Sequence, residues 1–498
     1  MVQSVSRRVF IALSASLAGS AALAGPPGQS LRPKLRPKGF AKRAAPGAGE
    51  LIRRAGVSGA VGFALADVES GEILEGHQPE ATLPPASVTK AVTAMYALET
   101  LGAEHRFVTR LMARGEISNG ILKGDLILVG GGDPTFDTDA LGDLARGLKE
   151  AGIHEVKGRF LVNGAALPSI RSIDPVQPAH AGYSPAVSGL SLNFNRVHFE
   201  WKPAAEGYSV TMDARSAKYR PDVSIAKIAV ADRALPVYTY ESKGSQDVWT
   251  VASGALGRGG ARWLPVRQPE LYAGDVFRTL ARAHGIVLEP AKLDFGVPEG
   301  RVVAFHLSEP LREILRGMLR YSTNLTAEMV GMAASKARGV AIETLAESAA
   351  AMSAWAHEAL NMPHAALVDH SGLGGASRMR PDELVRALAA AKRRDVLRPI
   401  LKDIRLRDAK GRVKEGAPMS VQAKTGTLNF VSGLAGYVTL HNGRMLAFAI
   451  LSADLEARAA VPAHDRERPK GARRWVHKAR HLQQRLIERW DALYADHG

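Results

Sequence analysis

The sequence predicts a mixed protein of the α/β (α+β) class, in which an antiparallel sheet is flanked by helices and smaller β-rich domains are inserted. Three observations predict this fold class. Strand-like segments occur near both ends of the chain, a strong helical pattern follows the first of them, and a long stretch of alternating residues lies between them. The chain has 498 residues, more than one ordinary core encloses, so we expect two or three domains.

The segments near the chain ends fit successive strands and helices. Residues 61–66 and 72–74 flank the turn Glu69-Ser70-Gly71 and predict a hairpin, and residues 87–101 carry apolar side chains at helical spacing. Towards the C-terminus the sequence predicts strands at 431–440 and 445–451, a turn at Asn442-Gly443, and a basic amphipathic helix at 473–494.

The middle of the chain predicts inserted domains. Residues 200–275 alternate Val, Tyr and Thr with polar residues and contain glycine-rich turns, which is typical of a β-rich module. Residues 25–48 are rich in Pro, Gly and basic residues and predict an extended linker. The expected division is a signal peptide at 1–24, the linker at 25–48, a main domain at 49–109 and 305–490, an inserted domain at 110–202 and 275–304, and a nested β-rich domain at 203–274.

The first 24 residues resemble an export signal. Arg7-Arg8 precedes a weakly apolar stretch rich in Ala, Ser and Gly, and Ala22-Leu23-Ala24 fits a cleavage site. Residues 6–11 also resemble the twin-arginine signature, although a Sec signal with two arginines is the alternative. We therefore expect a periplasmic protein, and no later apolar run is long enough to span a membrane.

Composition excludes several chemistries. The chain has no Cys, so a thiol nucleophile, a zinc-thiolate site and disulfides are excluded, and no His pair has metal-ligand spacing. We expect no metal and no cofactor. The net charge of +16 falls to +14 without the two arginines of the signal. Such a charge suits contact with an anionic envelope surface, or is a solvated basic surface; we expect no nucleic-acid partner.

Three short motifs occur in order: Ser87-Val88-Thr89-Lys90, Ser322-Thr323-Asn324 and Lys424-Thr425-Gly426. Each one alone is a weak signal, because such short patterns arise by chance. The chain itself contains Ser224-Ile225-Ala226-Lys227, which matches the first motif, and Ser191-Leu192-Asn193, which matches the second. Context separates the first motif from its duplicate, since the Ser224 segment alternates like a strand, where residues three apart point to opposite faces.

The first motif fits nucleophilic catalysis. Ser87 begins the predicted helix, so Lys90 lies one turn away on the same face and reaches the serine hydroxyl. A serine needs a base, and an amine serves only when its pKa is lowered. We expect burial and the cation of Lys424 to lower the pKa of Lys90.

The other two motifs fit the walls of a cleft. Ser322 and Asn324 lie between two helical patterns, where a loop projects side chains, although a helix-capping serine is the alternative. Lys424 precedes the predicted strand pair, and Gly426 permits close approach of a substrate backbone; an exposed lysine at a strand end is the alternative.

The ordered motifs resemble those of the class C low-molecular-mass penicillin-binding proteins, a D-Ala-D-Ala carboxypeptidase/endopeptidase family, and the likeness covers nearly all of residues 49–490. Simple β-lactamases place the first two motifs much closer together. Further segments typical of the family are residues 124–134, Tyr183-Ser184-Pro185, Asn193-Phe194-Asn195 and Asp369-His370-Ser371-Gly372-Leu373.

The resemblance implies a β-lactamase/transpeptidase-like domain with a five-stranded antiparallel sheet. It implies hydrolysis of peptidoglycan stem peptides and cross-links through an acyl-enzyme, with β-lactams as covalent inhibitors. The roles it implies are nucleophile for Ser87, base for Lys90, proton relay to the leaving amine for Ser322, and orientation of the acyl-side amide for Asn324.

The third motif receives its roles from the same resemblance. Lys424, Thr425 and Thr427 are expected to hold the terminal carboxylate, and Gly426 completes this substrate-binding strand. The backbone N–H groups of Ser87 and Thr427 are expected to form the oxyanion hole.

Two departures from the family concern the side chain of the stem peptide. An Asp of the inserted domain is replaced here by Asn163, and an Arg after Ser-Gly-Leu is replaced by Gly374-Gly375, with Arg378 displaced. His370 is expected to have a packing role. Two other functions remain open: a β-lactamase-like hydrolase, which needs a separate deacylation base, and a non-catalytic envelope glycan-binding protein.

Overall fold

The computed structural model describes residues 45–393, 395–407, 412–462 and 465–495. The predicted signal peptide and all but the last four residues of the predicted linker lie outside the described residues. The first described helix begins at Ala48, the last residue of that linker.

The helices and strands follow the chain from this first helix to the C-terminal one. The helices are α1 (Ala48–Ala55), α2 (Thr89–Leu101), α3 (Thr138–Glu150), α4 (Pro269–Ala283), α5 (Leu311–Tyr321), α6 (Asn324–Ala337), α7 (Leu345–Ala359), α8 (Pro381–Arg393), α9 (Leu455–Ala459) and α10 (Ala472–Tyr494). The strands are β1 (Ala60–Asp67), β2 (Ile73–His77), β3 (Val108–Ser118), β4 (Ile121–Val129), β5 (Glu155–Val156), β6 (Phe160–Asn163), β7 (Arg196–Pro203), β8 (Tyr208–Asp213), β9 (Ala226–Ala231), β10 (Tyr238–Lys243), β11 (Gln246–Ala252), β12 (Gly260–Pro265), β13 (Lys292–Leu293), β14 (Arg301–Leu307), β15 (Lys402–Asp403), β16 (Ser420–Leu428), β17 (Val431–Thr439) and β18 (Met445–Ala453).

The main sheet has the strand order β15-β16-β17-β18-β1-β2, and every neighbouring pair is antiparallel. The predicted hairpin at the N-terminal end is confirmed as β1 and β2, and the predicted C-terminal strands as β17 and β18. The two ends of the chain meet in this sheet, with Phe63 of β1 opposite Ile450 of β18. Five strands were expected, and the sixth is the two-residue strand β15 at the edge.

Side chains alternate between the two faces of this sheet, and helices cover both. Phe63 and Leu65 of β1 are buried with Trp490 of α10 in one core cluster. Ala64 and Ala66 belong to a second cluster, which includes residues of α2, α6, α7 and α8. The larger side chains therefore pack under α10, while the small ones allow α2 to lie close to the sheet.

The region between α2 and α5 forms further sheets. The order β13-β6-β4-β3-β14 combines parallel and antiparallel pairs, and β5 pairs with β4. Two three-stranded sheets, β12-β7-β8 and β10-β11-β9, follow the β-rich pattern of residues 200–275, although α4 occupies the last part of that stretch. Residues from all three sheets share one buried cluster. The proposed boundary between an inserted and a nested domain stays a prediction.

Two negative findings concern the described residues. No described helix combines the length and the apolar character needed to cross a membrane. The described part of the chain also contains no group of three or more His, Cys, Asp or Glu arranged to hold a metal ion.

Candidate active site

Ser87 lies in a tight turn that leads into α2. Residues 86–88 form one turn of 3-10 helix, and the N–H of Val88 donates to the carbonyl of Pro85 at 3.1 Å. Ala86, directly before Ser87, has a φ of 47°, a left-handed conformation that costs an alanine about 1–3 kcal/mol. The surrounding structure must therefore hold this turn in place.

Two glycines make close contact with the turn possible. A Cβ atom on Gly372 would lie 1.9 Å from the carbonyl oxygen of Ala86, and one on Gly426 would lie 2.5 Å from that of Pro85. Strand β16 therefore packs closely against the nucleophile turn at Gly426. The expected approach of a substrate backbone at this glycine stays a prediction.

The Lys90 side chain connects three parts of the chain. It is fully buried, and its Nζ lies 3.1 Å from the Oγ of Ser87, 2.8 Å from the Oδ1 of Asn324 and 2.7 Å from the carbonyl oxygen of Ser371. Asn324 is oriented by its own Nδ2, which donates to the carbonyl of Tyr183 at 2.9 Å. A neutral amine fits this arrangement, because it can donate two hydrogens to the two carbonyl oxygens and accept the proton of Ser87.

Ser322 and Lys424 form a second hydrogen-bonded pair in the site. Ser322 ends α5 in a left-handed conformation with a φ of 59°, and its Oγ accepts a hydrogen bond from the Nζ of Lys424 at 2.9 Å. Lys424 also donates to the carbonyl of Thr425 at 2.6 Å and is only 1% exposed. The structure therefore brings together the Ser and Lys of the first motif, the Ser and Asn of the second and the Lys of the third.

Burial governs the electrostatics of both lysines. Desolvation lowers the pKa of Lys90 to about 8, as expected, while the charges of Glu328 and Asp369 act to raise it. The two lysines also influence each other, because repulsion between two positive charges is reciprocal. Desolvation, followed by the positive charges of Lys90 and Lys402, lowers the pKa of Lys424 well below its ordinary value.

Two buried carboxylates lie beside Lys90; the sequence analysis missed Glu328 and named Asp369 only as part of a segment typical of the family. Both oxygens of Glu328 accept backbone hydrogen bonds, at 2.9 Å each, from the N–H groups of His370 and Ser371. Asp369 accepts from the N–H groups of Gly372 and Gly374 at 2.6 and 2.5 Å. These carboxylates fix the turn whose carbonyl contacts Lys90. Burial, with a further contribution from Asp369, raises the pKa of Glu328.

A weak signal for Glu328 was present in the sequence. Residues 324 and 328 are four apart on α6 and share a face, and Glu328 interrupts an otherwise apolar run that continues through Met332. A carboxylate inside an apolar helical pattern indicates a buried partner.

His370 has the packing role that the sequence analysis expected. It is fully buried, with its Nε2 2.8 Å from the Oγ of Ser348 and its ring against Gly331, where a Cβ would lie 2.2 Å from the imidazole. Desolvation lowers its pKa to about 3, so the ring is neutral and does not compete with Lys90 as the base.

Thr427, which directly follows the third motif, lies beside α10. Thr427 accepts a hydrogen bond at its Oγ1 from the Nη2 of Arg480 at 3.0 Å, and Thr425 is exposed. Strand β15 pairs with β16 only as far as Ala423, so the described residues leave the edge of β16 uncovered beyond that point.

A cleft of about 1610 Å³ surrounds these groups. It is lined by Ser87, Ser322, Asn324 and Thr427, which lie around the main sheet, and by residues from the region between α2 and α5 that include Asp174 and Tyr183. A substrate bound to Ser87 would therefore contact both regions.

Arg378 and Asn163, the residues at the two departures from the family pattern, differ in their surroundings. Arg378 lines the cleft and folds back across its turn, donating to the carbonyl of Gly375 at 2.8 Å. Asn163 is buried, and its amide group contacts the carbonyl of Gly296 at 2.9 Å and the N–H of Ala165 at 3.1 Å. Its side chain is thus used within the inserted sheet.

The two duplicate motifs have structural roles. Ser224 precedes β9 and donates its hydroxyl to Asp275 at 2.6 Å, while Lys227 is exposed. Asn193 donates to the Oγ1 of Thr138 at 2.8 Å inside the inserted region. The hydroxyl of Ser224 is therefore engaged with a carboxylate, and the amide of Asn193 with a threonine hydroxyl.

Comparison with known proteins finds two similar D-alanyl-D-alanine carboxypeptidases. A D-alanyl-D-alanine carboxypeptidase from Actinomadura sp. is 28% identical over 448 residues, which cover 80% of this chain and 78% of that protein. The D-alanyl-D-alanine carboxypeptidase DacB of Haemophilus influenzae is 25% identical over 433 residues, covering 78% of this chain and 84% of the relative.

The fold is also that of a solved structure. Penicillin binding protein 4 (dacB) from Haemophilus influenzae superimposes with a TM-score of 0.70 at 21% identity, over 89% of this chain and 99% of that chain. The predicted fold class and the predicted family are both confirmed. Residues 53–468 match the D-Ala-D-Ala carboxypeptidase 3 (S13) family, and the chain belongs to that family.

Proposed function

We propose that this protein is a serine-type D-Ala-D-Ala carboxypeptidase/endopeptidase that cleaves peptidoglycan stem peptides and cross-links through an acyl-enzyme on Ser87. The observation that carries this proposal is the buried amine of Lys90, which lies between the Ser87 hydroxyl and two carbonyl oxygens. Only the serine hydroxyl among these partners can give a proton to the amine.

The acylation step follows from this geometry. Neutral Lys90 takes the proton of Ser87 while the serine oxygen forms a bond to the carbonyl carbon of the penultimate D-alanine. The bond from that carbon to the leaving nitrogen then breaks, and the leaving amine receives a proton through Ser322, which contacts Lys424. Water attacks the ester in the second step, frees the shortened peptide and restores the Ser87 hydroxyl.

The orientation of backbone groups along β16 supports an oxyanion hole formed by the N–H groups of Ser87 and Thr427. The carbonyl of Thr425 faces the Nζ of Lys424, and backbone groups two residues apart on a strand point to the same side. The N–H of Thr427 is therefore expected on the edge that faces the nucleophile. Removing one such donor typically costs about 3 kcal/mol of transition-state stabilisation.

The relatives support the substrate and the inhibitor class. Two of them are named D-alanyl-D-alanine carboxypeptidases, and the Haemophilus penicillin binding protein 4 has also been solved in complex with a β-lactam. A β-lactamase is less well supported, because it needs a separate deacylation base and the buried carboxylate of Glu328 already accepts a backbone hydrogen bond at each oxygen. A glycan-binding protein has no need of a serine hydroxyl held against the buried amine of Lys90.

We also propose that the protein acts in the periplasm after cleavage of its signal peptide. The supporting observation is the sequence of residues 1–24, which lie outside the described residues. Twin-arginine export is the proposed route.

Ser87 is expected to carry the covalent adduct. Incubation with fluorescent penicillin should label the wild-type protein, and mass mapping should place the adduct on the peptide that contains Ser87. Ser87→Ala should abolish labelling, whereas the control Ser224→Ala should label normally because the Ser224 hydroxyl contacts Asp275. An adduct on Ser224, or none on the wild type, would refute the proposal.

The acylation rate should depend on the protonation of Lys90. Since only the neutral amine accepts the serine proton, the rate should rise with pH and level off above about 8, the pKa of Lys90. The pH at which the rate rises reports the joint titration of Lys90, Lys424 and the two carboxylates, and not of Lys90 alone. Lys90→Ala should lower the rate by roughly 10²–10⁴-fold.

Stopped-flow acylation by a chromogenic β-lactam between pH 6 and 10 measures both effects. The control is Lys227→Ala, in the duplicate motif, which should keep the wild-type profile. A rate that is constant over this pH range would contradict the role of Lys90.

Glu328→Gln should disturb Lys90 without touching substrate. An amide places an NH2 group against a backbone N–H, so the Ser371 carbonyl should shift away from Lys90. Loss of the carboxylate also removes a charge that raises the pKa of Lys90, so the pH limb should move to lower pH. The expected plateau rate is about tenfold lower.

The control is Glu358→Gln, an exposed glutamate on α7, which should match the wild type in rate, pH profile and thermal stability. An unchanged pH limb in Glu328→Gln, at a melting temperature equal to that of the control, would show that Glu328 does not act on Lys90.

Export can be tested with a conservative change. Replacing Arg7→Lys together with Arg8→Lys should leave the precursor in the cytoplasm, because the twin-arginine pathway requires both arginines. Fractionation and immunoblotting measure this. Normal processing of the variant would rule out that route, and a Sec-dependent periplasmic protein would remain.

A further inference from the structure

Helix α10 presents basic side chains to the cleft. Arg473, His477 and Arg480 line the cleft together with Ser87, and their spacing of four and three residues places them on one face of the helix. All three are exposed, so the two guanidinium groups and the imidazole are accessible to a bound substrate.

Among these three residues, Arg480 contacts Thr427, which directly follows the third motif. Its Nη2 donates to the Oγ1 of Thr427 at 3.0 Å. One turn further along, the Nε2 of Gln483 donates to the Oγ of Ser432 at 3.1 Å. Thr427 and Ser432 are directly opposite one another in the β16–β17 pairing, so neighbouring residues of α10 bind both members of one cross-strand pair.

Packing holds the helix in this register. Ala479, Leu482 and Leu486 are buried on either side of these two polar contacts. The Nε1 of Trp475 also donates to the carbonyl of Ser58 at 3.1 Å. The guanidinium of Arg480 is therefore kept beside Thr427 by a rigid element, as a binding group needs to be.

We propose that Arg480 is a specificity-determining residue that binds the free carboxylate of the residue on the leaving side of the scissile bond, so that the preferred substrates carry this group as an acid and not as an amide. The inference rests on the proposed function, in which that carboxylate binds beside Thr427. A guanidinium binds a planar carboxylate through two parallel hydrogen bonds, and an amide offers it only one acceptor.

The charge state of Lys424 explains why a second cation matters. Burial and the neighbouring lysines lower the pKa of Lys424, which favours the neutral form of its amine when no anion is bound. An arginine stays protonated at every working pH. Arg480 thus supplies a permanent charge at the cleft mouth, while Lys424 remains hydrogen-bonded to Ser322 for proton transfer.

The test compares two peptides that differ only at the leaving residue. A diacetyl-lysyl-D-Ala-D-Ala peptide with a free C-terminus and its C-terminal carboxamide are hydrolysed by the wild type, by Arg480→Gln and by Arg480→Lys. The control is Arg474→Gln, which removes an equal charge from an exposed position on the same helix. The measurement is kcat/KM for each peptide.

The expected result is a loss of discrimination. Arg480→Gln should lower kcat/KM for the acid by roughly tenfold, as for one exposed charge-assisted hydrogen bond, and leave the amide nearly unchanged. Arg480→Lys should retain part of the preference because the charge is kept without the planar geometry. Arg474→Gln should behave as the wild type.

Two outcomes would overturn the inference. One is an equal fall for both peptides in Arg480→Gln, which would mean that Arg480 only supports the position of α10. The other is an unchanged acid-to-amide ratio. Failure of the proposed function looks different, since the wild type would then hydrolyse neither peptide and would form no adduct on Ser87 with penicillin.

Discussion

The buried amine of Lys90 is the point at which three separate parts of the chain meet. It contacts Ser87 one helical turn away, Asn324 at the start of α6 and the carbonyl of Ser371. Burying an amine is costly unless its hydrogen-bonding groups are all matched, and the same burial lowers its pKa into the range of a useful base. The energetic cost of the site and its reactivity thus have one physical origin.

The backbone around the nucleophile depends on the same assembly. The left-handed conformation of Ala86 is unfavourable by itself, and it persists because Gly372 and Gly426 allow two other segments to lie against it. Glu328 and Asp369 hold the segment that contains Gly372 by accepting its N–H groups. Strain at the nucleophile is therefore balanced by packing and hydrogen bonds from parts of the chain that are distant in sequence.

The inserted region contributes to the site as well as to the size of the protein. Its Tyr183 carbonyl orients the amide of Asn324, and Asp174 lines the cleft. On the opposite side, α10 places Arg480 beside Thr427. The groups around the nucleophile and base thus come both from the region between α2 and α5 and from α10, which packs on the main sheet.

The sequence by itself determined the local elements and the identity of the reactive groups. The hairpin at β1–β2, the helix that carries Lys90 and the strand pair β17–β18 follow from periodicity and turn residues, which act over a few neighbours. Ser87, Ser322 and Lys424 were found because each lies in a short recognisable motif.

Only the tertiary structure decided which other groups join them. The contacts of Glu328 with residues 370–371 and of Arg480 with Thr427 link positions 42 to 53 residues apart, and the contact of Asn324 with Tyr183 links positions 141 apart. The reason that Gly426 must be glycine, and the burial that sets the pKa of Lys90, are likewise properties of packed segments. A linear pattern records spacing along the chain, whereas desolvation and hydrogen bonding depend on what lies nearby in space.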